Sequence, residues 1–192
     1  MKKVKTKGFY ALIVSLAVIL IISLFAVYLV CFAYPTPYRD IVLKNSSQFA
    51  LEPYLVYSVI KTESGFKTNV KSSKGAVGLM QITPSTAEYI AEKLATPTYN
   101  LEDVETNVKF GCFYLRYLIN KFKSLNTAIT AYNAGEGNVS KWLKDSKCST
   151  DGINLKYIPF KESRNYLKKI RKSLANYRKL YGNTLDKSEK NK

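Results

Sequence analysis

No histidine occurs anywhere in this chain of 192 residues. That absence removes Ser-His-Asp and Cys-His nucleophile systems, and the common zinc-hydrolase ligand sets, all of which need an imidazole. Any catalysis must then rest on carboxylates, hydroxyls, amides or lysines. Cysteine is scarce as well, at three residues. Acids are outnumbered: 14 Asp and Glu stand against 30 Lys and Arg, a formal net charge of +16. No stretch of apolar–polar alternation argues for strands, and there is no internal repeat. Nor is there a nucleic-acid module, neither a helix-turn-helix with a clear turn nor an RNA-binding strand motif. The positive charge therefore points away from nucleic acid, toward anionic lipid, an anionic wall polymer or ordinary solvated surface.

What the chain does have is one long apolar run. From Phe9 to Tyr34 there is no charged residue, and Ser15 and Ser23 are its only serines. At about 26 residues the run exceeds the roughly 20 that span a bilayer as a helix. It also exceeds the apolar region of about 7–15 residues in a cleaved secretory signal, and no convincing small-x-small cleavage site precedes Pro35. The expectation is an uncleaved signal anchor, with a cleaved long signal peptide as the alternative. Lys2, Lys3, Lys5 and Lys7 would hold the N-terminus in the cytoplasm and place the remainder outside. The division expected is 1–8 as a cytoplasmic basic N-terminus, 9–34 as a single transmembrane span, 35–182 as an extracytoplasmic domain and 183–192 as a disordered polar tail. The context of Cys31 is a poor lipoprotein signal. Cys112 and Cys148 both fall in the exported part, where a disulfide and a pair of free thiols remain equally open.

Periodicity makes the exported part all-helical. A segment around Arg39 to Gln48 is followed by one from about Glu52 to Lys61, with Pro53 in its first turn and a stripe of Leu55, Val56, Val59 and Ile60. Ser64-Gly65 ends it. The stretch from Lys67 to Gly78, rich in Lys, Ser, Asn and Gly, reads as a loop. Thr83-Pro84 starts a helix that Pro97 is expected to stop. Apolar residues then recur at helical spacing from Val104 to Lys121, from Leu125 to Asn133 and, more briefly, from Asn138 to Lys144. After an irregular stretch a basic amphipathic helix runs from about Lys161 to Tyr181.

Glu63 closes the apolar second segment, in the run Thr62-Glu63-Ser64-Gly65-Phe66. A carboxyl at such a position is partly desolvated and held protonated near neutral pH, as a general acid requires. Phe66 and Met80 are its expected apolar neighbours. No other acid has such a setting: Glu88, Glu92, Glu102 and Glu105 have polar company, and Glu136 follows a Tyr-Asn pair from which it could touch a ligand. Downstream come Gly78-Leu79-Met80-Gln81 and Ala131-Tyr132-Asn133-Ala134-Gly135. Gly78 would let backbone approach a ligand closely. Tyr132 offers a flat face and a hydroxyl, and Asn133 both donates and accepts, which suits a sugar's N-acetyl group. Glu162 and Arg164 read as a structural ion pair. Tyr114, Tyr117 and Trp142 are candidate glycan contacts, although at helical spacing most of the 15 tyrosines belong to core.

Taken in order, Glu63-Ser64, Gly78-Leu79-Met80-Gln81, Ala131-Tyr132-Asn133-Ala134-Gly135 and Glu162-Ser163-Arg164-Asn165-Tyr166 resemble the soluble lytic transglycosylase family of the lysozyme-like superfamily. The resemblance spans roughly Asp40 to Leu180. It implies an all-α, goose-type lysozyme-like domain and a bacterial enzyme of the cytoplasmic membrane. The reaction implied is cleavage of the bond between N-acetylmuramic acid and N-acetylglucosamine in peptidoglycan without water. Glu63 would protonate the glycosidic oxygen and then, as carboxylate, take the proton of the muramic acid C6 hydroxyl as it closes a 1,6-anhydro ring. One carboxylate serves twice, unlike the two-carboxylate pattern of most glycosidases. The resemblance also implies that Met80 and Gln81 line the groove, that the hydroxyl of Ser72 bonds the catalytic acid, and that Tyr166 points its hydroxyl at Glu63. It implies no cofactor and no metal, and as partners only peptidoglycan strands and, through residues 9–34, the membrane. A goose-type muramidase on the same fold, a non-catalytic glycan-binding subunit of an envelope-spanning machine and, least favoured, a basic membrane-active protein are the competing expectations.

Overall fold

The computed structural model describes residues 2–182, and the expected tail 183–192 lies outside them. It separates into two compact units, divided between Pro35 and Thr36.

The first unit is a single helix, α1 (Lys2–Ala33). Within it Gly8–Val30 has a mean hydropathy of 3.0 and is solvent-exposed throughout, so it is long and apolar enough to cross a membrane.

The second unit is helical: α2 (Arg39–Gln48), α3 (Pro53–Glu63), α4 (Pro84–Lys93), α5 (Val104–Phe122), α6 (Leu125–Ala134), α7 (Glu136–Lys144) and α8 (Lys161–Tyr181). Among the described residues, β structure is limited to isolated bridges, two of them joining Val77 to Lys71 and to Ile82. The central element is α3. Its residues Tyr54 to Ile60 are buried consecutively, so the helix is enclosed on all sides rather than along the one stripe that the periodicity suggested. Pro53 opens it where no amide donor is needed, and the hydroxyls of Ser58 and Thr62 bond back to carbonyls four residues earlier. Helix α8 packs against α3 and α6, α5 against α2, α4 and α6, and α7 against α6. Ile170 and Tyr177 of α8 and Phe110, Leu115 and Leu118 of α5 are sealed from solvent.

Most helix ends fall within two residues of expectation, and two of the differences have a clear local cause. α4 ends at Lys93, ahead of Pro97, because Ala95 turns left-handed (φ 48°) and the amides of Ala95 and Thr96 close on the carbonyls of Glu92 and Ala91. That pair of bonds is a complete helix stop and needs no proline. α7 begins at Glu136 rather than Asn138, because Gly135 at φ 84° lets the chain leave α6 and start a new helix within one residue. Cys112 and Cys148 are both buried free thiols.

Candidate active site

Glu63 is the last residue of α3, half-buried, at the floor of a cleft. The turn after it is built by three consecutive residues. Ser64 Oγ donates to Ile60 O and accepts from Phe66 N, while Gly65 and Phe66 both take positive φ, 58° and 69°. The chain thus leaves the helix sharply, and the Glu63 carboxyl remains at its end. Burial pushes that carboxyl up to about 7. A hydrogen bond from Tyr166 opposes the rise, and the nearby charge of Glu162 adds to it. Tyr166 Oη donates to Glu63 Oε1 at 2.6 Å, across 103 residues of sequence. Burial and the neighbouring Glu63 raise the Tyr166 phenol well above its ordinary value, so it stays protonated and available as a donor.

Two cavities adjoin here. One, of about 270 Å³, is lined by Thr62, Glu63, Asn133, Glu162, Asn165, Tyr166 and Lys169. The other, of about 240 Å³, is lined by Gln81, Ile82, Thr83, Thr86, Tyr114, Tyr132, Asn133, Ala134 and Gly135. Asn133 belongs to both. The structure therefore brings Glu63, Gln81, Tyr132, Asn133 and Tyr166 to one cleft, and leaves Ser72, Gly78 and Met80 out of its walls.

Those three need correction. Ser72 does not bond Glu63; its hydroxyl accepts from Ala76 N at 3.0 Å and closes its own loop. Gly78 approaches protein, not ligand: at φ 78°, a Cβ there would lie 2.3 Å from Asn107 Nδ2 and 2.9 Å from Leu101 O. The Met80 side chain is wholly buried, fitted so closely over Gly111 that a Cβ on that glycine would lie 2.2 Å from Met80 Sδ. What Met80 gives the site is its carbonyl, which accepts the hydroxyl of Tyr132 at 2.9 Å. That bond turns the tyrosine's face, rather than its hydroxyl, to the cleft, and Tyr114 lies tilted against it at 5.6 Å. Gln81 lines the cleft at φ 50° with its amide nitrogen committed to Val70 O and Gly78 O, which leaves Oε1 for a ligand.

The ion pair expected of Glu162 and Arg164 is absent. Arg164 donates instead to the carbonyls of Ile158 and Pro159 and lies over the ring of Tyr157, fixing the approach to α8. Glu162 faces the cleft with Glu63. Glu136 is paired with Lys121 at 3.0 Å and Trp142 packs edge-on against Phe160, and neither lines either cavity.

Two residues that hold the site together escaped the sequence reading. Asn107, only 1% exposed in α5, accepts from Met80 N (2.8 Å) and donates to Val77 O (2.9 Å) and Leu101 O (2.8 Å). It clamps the Gly78–Gln81 turn. Ser163, also 1% exposed, donates to Asn133 Oδ1 at 2.7 Å. Both stand on otherwise apolar stripes, Asn107 four residues before Gly111 and Ser163 three before Tyr166. A polar residue on a buried stripe must find partners, and that was the available signal.

A carboxyl poised near 7, a tyrosine face and unpaired amide groups in one open cleft suit proton transfer to a polar, ring-shaped ligand. Comparison with known proteins agrees with this arrangement. The chain is 34% identical over 155 residues to the soluble lytic murein transglycosylase of Escherichia coli K12, covering 78% of this chain and 24% of that one. It is 30% identical over 168 residues to the membrane-bound lytic murein transglycosylase C of Edwardsiella ictaluri, covering 74% and 47%. The structure of the 70 kDa soluble lytic transglycosylase of Escherichia coli matches with a TM-score of 0.68 at 33% identity, over 79% of this chain and 26% of that one. The chain thus spans about a quarter of the length of the soluble relatives. Residues 40–153 match the transglycosylase SLT domain, and since that match takes in more than half of the 192 residues, the chain belongs to the transglycosylase SLT domain family.

Proposed function

We propose that this protein is a membrane-anchored lytic transglycosylase that cuts the bond between N-acetylmuramic acid and N-acetylglucosamine in peptidoglycan. The observation that carries this reading is the Glu63 carboxyl, held near 7 in an open cleft with the Tyr166 hydroxyl at 2.6 Å. At neutral pH such a group is divided between acid and base, and the reaction uses both forms in turn. Protonated Glu63 gives its proton to the glycosidic oxygen as the bond from C1 to that oxygen breaks. The carboxylate so formed takes the proton of the C6 hydroxyl as that oxygen bonds to C1. The proton is restored to Glu63, no water is consumed, and one strand ends in 1,6-anhydro-muramic acid. Tyr166 steadies the carboxylate between the two steps. The Tyr132 face, Asn133 and the free oxygen of Gln81 hold the sugars. Ser72, Gly78 and Met80 serve by keeping the turn before Gln81 in shape.

Residues 9–34 anchor the protein in the cytoplasmic membrane, and the lysines before them orient residues 35–182 outward, by the positive-inside rule. The relative named membrane-bound supports anchoring. The cations Lys161, Lys168, Lys172 and Lys179, exposed along α8, fit a wall rich in peptide carboxylates.

The test is mass analysis of fragments released from purified peptidoglycan by the detergent-solubilised chain, beside its Glu63→Gln variant. Anhydro-ended fragments, absent with the variant, are the expected result. Fragments with reducing ends would replace the lyase with a hydrolase on the same fold. Glycan bound but uncut would leave a wall-binding module and refute the enzyme.

A further inference from the structure

The amide of Asn133 can in principle point either way, and its orientation decides what it recognises. Ser163 removes the choice. Its Oγ lies 2.7 Å from Asn133 Oδ1 and has no other partner among the described residues. Were the amide reversed, Nδ2 would donate to that hydroxyl and the hydroxyl's own proton, 1% exposed, would be stranded. A buried O–H without an acceptor is costly, so the reversed amide is disfavoured. With its carbonyl turned to Ser163, Asn133 presents its two N–H donors to the cleft, and no described residue accepts from them. It does so where the two cavities meet, beside Glu63.

We infer that Ser163 is a positioning residue that makes Asn133 a dedicated donor, reading an acceptor oxygen of the glycan, of which the acetamido carbonyl is the strongest. This rests on the glycan reading above and narrows it: Asn133 turns its N–H donors to the cleft and takes the carbonyl of an N-acetyl group. A strand lying through both cavities must pass this donor, so the contact fixes where along the strand an N-acetyl group sits relative to Glu63.

The test is a double-mutant cycle in the Glu63→Gln background, read by calorimetric binding of a β-1,4-linked N-acetylglucosamine tetramer, so that it does not depend on turnover. Ser163→Ala is expected to weaken binding about tenfold, the size of one lost charge-neutral contact. Ser163→Thr keeps the hydroxyl and should return the affinity to within about twofold. In the Asn133→Ala background, Ser163→Ala should cost no further affinity, because Ser163 acts only through that amide. Equal losses in both backgrounds would mean that Ser163 supports the fold generally, and would overturn the inference while leaving the enzyme reading intact. Parent-like binding by Ser163→Ala overturns it equally. Absence of any binding by the Glu63→Gln parent would instead refute the glycan reading, and the inference with it.

Discussion

Replacing Tyr166 by Phe isolates the one direct side-chain hydrogen bond to the Glu63 carboxyl among the described residues while leaving the buried ring in place. The bond is short, 2.6 Å, and its acceptor is a carboxyl that ionises near neutrality. Hydrogen bonds to charged groups contribute roughly 1.5–3 kcal/mol, more than neutral ones, and this one favours the carboxylate over the acid. Removing it therefore raises the Glu63 pKa further. At 1.36 kcal/mol per pH unit, the loss moves it up by about 1–2 units, from about 7 to roughly 8–9.

The assay is the pH dependence of kcat/KM for release of glycan fragments. In the proposed reaction the first proton transfer needs Glu63 protonated, so the rate falls as pH rises through its pKa, and the wild-type alkaline limb should lie near 7. In Tyr166→Phe that limb should move to higher pH. Tyr132→Phe is the matched control, since the Tyr132 hydroxyl is spent on Met80 O and its removal should leave the limb in place. A limb that stays near 7 in Tyr166→Phe, or moves to lower pH, would show that the hydroxyl does not govern the charge of Glu63.

Other consequences follow from the same geometry. Because the folded pKa of Glu63 is raised from 4.5 to about 7, the fold loses stability as pH rises between those values; above 7, Glu63→Gln should be more stable than wild type by up to roughly 3 kcal/mol, with no difference below about 4.5, as urea unfolding at pH 4 and 8 would reveal. Gly78→Ala must place a Cβ 2.3 Å from Asn107 Nδ2 at φ 78°, whereas at Gly75, φ 77°, the nearest atom is 3.8 Å away. The first should cost at least about 2 kcal/mol more than the second, and Asn107→Ala, which strands the buried Met80 amide and the Leu101 carbonyl while Val77 O keeps Ile82 N, about 3 kcal/mol. With Cys112 and Cys148 free, the thermal midpoint should be the same with and without reductant; a drop of several degrees would indicate a disulfide.

The helices were legible because each has a local cause. Thr83 caps α4 through Thr86 N, Pro53 opens α3 and the stripe of α5 recurs at three and four residues, all of them features of short windows. The place of Glu63 was legible for the same reason, as a carboxylate at the end of an apolar helix before Ser-Gly. The residues misjudged are those whose partners lie far along the chain. Gly78 and Met80 answer to Asn107 and Gly111, about thirty residues away, and no window around the Gly-Leu-Met-Gln run contains those partners. Arg164 was paired with its neighbour Glu162 by proximity alone. The structure sends its guanidinium to two backbone carbonyls, since an exposed ion pair is worth little and the chain entering α8 has carbonyls to satisfy.

The family match ends at residue 153, yet the cleft does not. Tyr166, which bonds Glu63, and Ser163, which holds Asn133, both lie on α8, and α8 also packs against α3 and α6, the two helices that carry those residues. A chain stopped at 153 would keep Glu63, Gly78 to Gln81 and Tyr132-Asn133, every motif of the matched span. It would lose the donor to Glu63 and the bond that orients Asn133. It would also uncover α3, whose Tyr54 to Ile60 are buried on all sides. The face that α8 covers includes Tyr54 and Tyr57, which reach Tyr181 and Tyr177, and burying two such rings contributes on the order of 5 kcal/mol, a large share of the stability of a small domain. Such a chain should therefore lack a cooperative unfolding transition and cut no glycan, whereas one ending at Gly182 should unfold cooperatively and cut glycan. A folded, active 1–153 chain would mean that α8 is ornament to the site rather than one of its walls.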